Sequence, residues 1–180
     1  MKSVVFSFVR GQPLTCGHEQ VFKSVLDIAN CISADHIIFL SQIQKSPTDP
    51  LVWEDKLNFA KSMFKNNIFS SDTEIKTPYQ ALEMLCGKYD DIKFVVGSDR
   101  VASFRGRMEK YALEWGAKSF TIVCAGDRDP SSKGISGVSA SKAREYAMSG
   151  NYEKFASVLP SKTTKKITRQ LYNKVRQGIK

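Results

Sequence analysis

The chain reads as an α/β protein built on a doubly wound parallel sheet. Three observations predict this. Short β-rich apolar runs alternate with stretches of helical periodicity, the connections between them are brief, and polar glycine-containing loops follow several of the runs. At 180 residues and 42% hydrophobic content the chain holds one core-forming domain, and global disorder is excluded.

Val4-Val5-Phe6-Ser7-Phe8-Val9 suits a strand buried on both faces. A polar loop with Gly11, Pro13 and Gly17 follows it. From His18 to Asn30, Val21, Val25, Ile28 and Ala29 recur at helical spacing. Asp35 to Leu40 is the next strand. After a loop from Ser41 to Asp49, a helix is expected with Asp49 as its N-cap and Pro50 in its first turn. Its inward face would be Trp53, Leu57, Ala60 and Phe64. Thr77-Pro78 opens another helix in the same way, with Ala81, Leu82 and Leu85 inward. Ile92 to Val96 is a strand ending at Gly97, and one helix over about 99–114 follows. Ser119 to Ala125 is the last strand. A polar loop, Gly126 to Gly137, leads to a helix from about Ser139 to Met148, which Gly150 stops. A turn around Tyr152 to Phe155 and a helix over about 162–177, striped with Ile167, Leu171 and Val175, close the chain.

The net charge of +9 is uneven. Lys162, Lys165, Lys166, Arg169, Lys174, Arg176 and Lys180 crowd the last twenty residues, where no acid occurs, so the rest is nearly neutral. The expected organisation is a domain over 1–160 with a basic helix over 161–180 packed on it. A nucleic-acid reading must rest on that tail. The competing reading is an amphipathic helix with solvated lysines.

Other classes drop out. No apolar run approaches the ~20 residues of a membrane span. The opening segment lacks the small-residue cleavage site of a signal peptide, so a cytoplasmic location is expected. Of the four cysteines, none pairs at C-x-x-C spacing; three sit in apolar patterns, as small core residues would. With two histidines, a structural zinc site is not expected, and no protein metal ligands are assigned. His36 lies in a strand pattern and reads as structural. Trp53 and Trp115 fall among apolar helix positions and read as packing groups.

Two loops carry chemistry. In Arg10-Gly11-Gln12-Pro13-Leu14-Thr15-Cys16-Gly17-His18, the glycines let backbone approach a ligand. Thr15 and His18 meet at a helix start, where free N–H groups favour phosphate. In Val138-Ser139-Ala140-Ser141-Lys142-Ala143-Arg144, Ser139 suits the N-cap, and Ser141 and Arg144 share a face. Two hydroxyls, a helix N-terminus and a guanidinium suit a polyphosphate. Alone, each is equally a capped turn with ordinary polar residues.

Together they are more specific. T-x-G-H after the first strand, with S-x-S-x-x-R after the last, resembles the nucleotidyltransferase superfamily, with its (H/T)-x-G-H and I-S-x-T-x-x-R motifs. The resemblance covers about residues 1–160. With Phe155 and Leu159-Pro160, the second segment is similar to small phage-encoded, cytidylyltransferase-like members, for which the location would be the host cytoplasm. Thr15 stands for the first histidine, as in the phosphopantetheine branch, and Ser141 for threonine.

The resemblance implies a Rossmann-like nucleotidyltransferase fold. It implies attack by an acceptor's phosphate on the α-phosphate of a nucleoside triphosphate, with pyrophosphate leaving. His18 and Thr15 would contact the reacting phosphates, and Ser139, Ser141 and Arg144 would hold the β- and γ-phosphates. Arg10, Gly11, Gln12 and Gly17 would line the nucleotide. Gly97 and Asp99 would meet the nucleoside, in a segment that otherwise reads as a strand-to-helix turn. Lys45 would reach the acceptor phosphate, its alternative being a solvated loop lysine. Arg100 and Arg128 would face the acceptor; Arg128 and Lys133, flanking the second motif, would close over the triphosphate or equally read as surface charge. Mg²⁺ would arrive with the triphosphate, ATP or CTP. The Arg10-Gly11-Gln12-Pro13 run is similar to the G-R-F-Q-P loop of adenylyltransferases for nicotinamide mononucleotide, which makes that acceptor the first expectation and a cytidylyltransferase on a phosphorylated alcohol the second. A nucleic-acid-binding or non-catalytic nucleotide-binding relative is the alternative of another class. A homo-oligomer is left open.

Overall fold

The computed structural model describes residues 1–126 and 139–180, and the chain forms two units. The first draws on 1–9, 20–39 and 66–126, the second on 10–19, 40–65 and 139–180.

The first unit holds a four-stranded parallel sheet: β1 (Ser3–Val9), β2 (Asp35–Leu40), β3 (Asp91–Val96) and β4 (Ser119–Cys124), in the order β2-β1-β3-β4. The α/β fold expected from the alternation of elements is therefore present, with a Rossmann-like parallel sheet flanked by helices. Register aligns Val4 with Ile92 and Phe6 with Phe94, so residues of neighbouring strands share a face. On one face Val4, Phe6, Ile92, Phe94 and Val96 pack with Ala81, Leu82 and Leu85 of α3 (Pro78–Cys86) and with Met108 and Ala112 of α5 (Arg107–Glu114). Phe6 stacks on Phe94 at 4.5 Å between ring centroids and meets Phe39 edge-on. Val5 and Val95 alternate to the other face and are fully buried. The helix α1 (Cys16–Cys31) buries Phe22, Val25 and Ala29.

The start of α3 follows its sequence closely. Thr77 accepts from the Gln80 N–H, Gln80 Oε1 accepts from the Thr77 N–H, and Pro78 occupies the first turn, which is a capping box. The single helix expected over 99–114 is instead two, α4 (Ser98–Phe104) and α5, because the chain leaves helical geometry at Arg105 and Gly106. Only Cys86 of the four free cysteines is buried. Cys31 ends α1 and Cys124 ends the edge strand β4, so the apolar pattern around them misled: the last residue of each element lies exposed. His36 Nε2 accepts from the Ile68 N–H, a structural contact, and Trp115 stacks on Tyr111.

The second unit packs α2 (Trp53–Met63), α6 (Ala140–Met148), α7 (Tyr152–Ser157) and α8 (Lys165–Ile179). Around Tyr152 to Phe155, expected as a turn, the chain forms α7, because Asn151 accepts from the Lys154 N–H and caps it. Thr164 caps α8 by accepting from the Ile167 N–H. Leu171, Tyr172 and Val175 of α8 are buried, and the Tyr172 ring meets Tyr152 and Phe155 edge-on. Three of its cations are held locally: Arg169 lies over the Tyr152 ring, Lys174 pairs with Asp55 at 3.0 Å, and Arg176 lies near the Tyr172 ring. Gly178 comes so close to the Pro50 carbonyl that a Cβ would sit 1.9 Å from its oxygen, so no other residue fits there. No helix among the described residues is long and apolar enough to cross a membrane.

Candidate functional site

The chain leaves β1 into a loop whose conformation depends on its residues. Gly11 has φ +59°, the left-handed region that a side chain resists. The Gln12 amide is fully buried. Its Nε2 donates to the carbonyls of Ile43 and Leu51, and its Oε1 accepts from the Leu51 N–H at 2.8 Å. Gln12 thus straps the 10–18 loop to the 43–51 segment, and its side chain is fully engaged in doing so.

Thr15 opens α1. Its carbonyl accepts from the N–H groups of His18 and Glu19, while its own N–H donates to His18 Nδ1 at 3.1 Å. This is the reciprocal logic of a capping box, with histidine in place of glutamate. The consequence is chemical. Because the Thr15 N–H can only donate, Nδ1 accepts, and the neutral imidazole carries its proton on Nε2. The Thr15 hydroxyl also lies 3.1 Å from Nδ1. Thr15 is fully buried and His18 nearly so, which fixes the ring. Gly17 lies in the same first turn.

Asp49 is not the helix cap expected of it. The Arg10 guanidinium grips both its carboxylate oxygens through Nε and Nη2, and the Thr48 hydroxyl donates to Oδ2 at 2.9 Å. With that carboxylate taken, and the Leu51 N–H bound by Gln12, the helix begins only after Val52, which has no side-chain cap. Arg10, chiefly through these hydrogen bonds, holds the Asp49 carboxyl below the usual carboxylate range against the opposing effect of burial. The same pairing raises Arg10. Lys45 closes the loop by exchanging backbone hydrogen bonds with Asp49, and its side chain is exposed.

Ser139 caps α6 as expected, accepting from the Lys142 N–H. Arg144 sits one turn further on. Its Nη2 donates to the Ser141 hydroxyl at 3.0 Å and its Nη1 to the Gln12 carbonyl at 2.6 Å. One guanidinium therefore ties the start of α6 to the loop that carries Thr15 and His18. Burial first, and then the nearby Arg10 charge, lower the Arg144 pKa; Asp49 opposes them. A cavity of about 470 Å³ opens beside this group, lined in part by Thr48, Ser141, Arg144 and Glu145.

Two participants escaped the sequence reading. Asp49 looked like a cap because Asp-Pro is a common helix start. Lys56 was passed over, yet it is only 1% exposed, and its Nζ donates to the carbonyls of Arg10 and Ser41. The signal was there: Trp53, Lys56, Leu57 and Ala60 follow i, i+3, i+4, i+7 spacing, so a lysine occupies an inward position of the stripe. Three cations, Arg10, Lys56 and Arg144, thus gather around one carboxylate.

Gly97, Asp99 and Arg100 belong to the first unit, at the start of α4. A Cβ on Gly97 would sit 2.8 Å from Asp99 Oδ1, and Arg100 pairs with Asp99 at 3.6 Å on the surface. Arg128, Lys133 and Val138 lie outside the described residues. Among the described residues no cluster of three His, Cys, Asp or Glu side chains could hold a metal. Compared with known proteins, the chain matches no family model and no curated sequence.

Proposed function

We propose that the protein is a nucleotidyltransferase that moves a nucleoside monophosphate from a nucleoside triphosphate to a small phosphorylated acceptor. The observation that carries this reading is the excess of positive charge, with buried Lys56, half-buried Arg144 and the more exposed Arg10 against Asp49 alone, joined by Arg144 to the loop that holds His18. Unbalanced cations in a partly desolvated site are costly until an anion arrives. Guanidinium groups, two hydroxyls and a helix start favour an oligophosphate.

In this reading an acceptor phosphate oxygen attacks the α-phosphorus. The bond to the bridging oxygen of the β-phosphate breaks, and pyrophosphate leaves. Ser139, Ser141 and Arg144 hold the β- and γ-phosphates. His18, with its proton on Nε2, donates to charge that develops on the transferring phosphate. Thr15 fixes the ring that does so. Positioning and charge stabilisation supply the catalysis, with no covalent intermediate. Mg²⁺ enters as part of the substrate, on the triphosphate oxygens and water. Exposed Lys45 is the candidate contact for the acceptor phosphate.

Adenylyl transfer to nicotinamide mononucleotide is the first form to assay, and cytidylyl transfer to a phosphorylated alcohol the second. Pyrophosphate release is measured with each donor and acceptor pair and Mg²⁺. The expected result is turnover with one pair, falling by ~10²-fold or more in His18→Ala while nucleotide still binds. Turnover undiminished in that variant would remove His18 from the mechanism.

A further inference from the structure

Lys56 presents a physical problem that the transfer reaction leaves unsolved. A fully buried ammonium disfavours folding, and α2 could bury an apolar side chain at this position instead. What the ammonium does is visible in its bonds. Nζ donates to the carbonyl of Arg10, the first residue after β1, at 3.2 Å, and to that of Ser41, the first after β2. An apolar group would leave both buried acceptors without this donor. The charged groups facing it are Asp49, from the 45–49 loop, and Arg10, from the 10–18 loop. Arg144 approaches the same Arg10–Asp49 pair from α6.

We propose that Lys56 is a positioning residue of the oligophosphate site: its ammonium fixes the Arg10 backbone and supplies buried positive charge that a bound oligophosphate balances, so that anion binding and Lys56 protonation strengthen one another. The proposal rests on the reading of this cluster as an oligophosphate site.

The linkage has a definite sign. Burial, the main cause, pushes Lys56 down to about 8, with Asp49 opposing and the Arg10 charge reinforcing the shift. The free protein therefore loses this proton just above neutrality. A polyanion bound beside it favours the charged form and draws the proton back. By reciprocity, affinity falls as pH rises through about 8. For one linked proton fully retained in the complex, the fall is about tenfold between pH 7 and 9. The oligophosphate itself gains charge over this range, which acts in the opposite direction, so a fall identifies a group on the protein.

The test is calorimetric titration of the whole chain with inorganic triphosphate at pH 7, 8 and 9, repeated at pH 8 in buffers of different ionisation enthalpy. Wild type is expected to lose about tenfold in affinity across the range and to take up a proton on binding at pH 8. Lys56→Arg, which stays charged, removes the fall, and Lys56→Met removes both the fall and the proton uptake. A flat wild-type profile without proton uptake would overturn the proposal and leave the site reading intact, as would the same fall in Lys56→Arg. Absence of triphosphate binding at every pH would overturn the site reading and the proposal together. Should neither variant fold, proton uptake by wild type decides the matter alone.

Discussion

In the first unit, Phe6 lies face to face with Phe94, and aliphatic side chains of α3 and α5 close over them. In the second, Arg10, Lys56 and Arg144 gather around Asp49, and backbone carbonyls take up the remaining donors. The first region is apolar and buried throughout, whereas the second buries Lys56 and Asp49 beneath a half-buried Arg144 and an exposed Arg10. Apolar burial adds to folding free energy with each contact. The desolvated charges of Lys56 and Arg144 oppose it, and such groups persist in natural proteins where a function needs them. The difference separates what holds this chain together from the cluster on which the proposed function rests.

The comparison predicts where substitutions act. Phe94→Ala opens a cavity under the stack and should cost about 4 kcal/mol in urea unfolding. A change below 1 kcal/mol would mean that the aromatic core is not the main support.

Lys56 should show the reverse logic. Its folded value near 8 lies below the ordinary lysine value of 10.5, so its charge opposes folding most fully below pH 8. As pH rises from 8 to 10.5 the opposition is relieved. Wild type should therefore gain on Lys56→Met over that interval, by up to about 3 kcal/mol, measured as the difference between their pH–stability curves. Parallel curves would show that the buried ammonium is not under strain.

Asp49→Ala leaves the cations without their counter-ion. With the Arg10 side chain 52% exposed, water screens part of the effect, and a loss of about 2 kcal/mol is expected. Added phosphate should restore more stability to this variant than to wild type. The pH signature is acidic: because Arg10 holds Asp49 down, its contribution is present above a carboxylate's usual value of about 4 and is lost as pH falls through the depressed folded value. Asp49→Asn should not show that loss.

The smallest effect belongs to the tail. Arg169→Ala removes a guanidinium lying 4.1 Å from the centre of the Tyr152 ring and should lower stability by about 0.5–1 kcal/mol.

How much of this was legible in the sequence follows the same division. Strands and most helices obey local rules: short continuous β-rich apolar runs marked β1 and β3, and Thr77-Pro78 marked α3 with its capping box. The helix starts at Thr15 and Ser139 and the shared face of Ser141 and Arg144 were also legible, since capping and helix spacing are local. The ionic cluster was not. Asp49 is taken from its expected cap by Arg10, 39 positions earlier in the chain, and Arg144 bonds to Gln12 across 132. Pairing at such separations leaves no local periodic trace. Lys56 left one, as a lysine in an inward helical position, but periodicity cannot say which partners it would meet.

The measurement that bears most directly on the central claim is thermal unfolding with Mg²⁺ and each of ATP, CTP, GTP and UTP in turn, near millimolar concentration, in wild type and Arg144→Ala. A ligand at a hundred times its dissociation constant adds about 2.7 kcal/mol, which for a chain of this size raises Tm by roughly 5–10 °C. The account predicts such a rise with at least one triphosphate and its loss in Arg144→Ala. No rise with any triphosphate, or an equal rise in the variant, would contradict it.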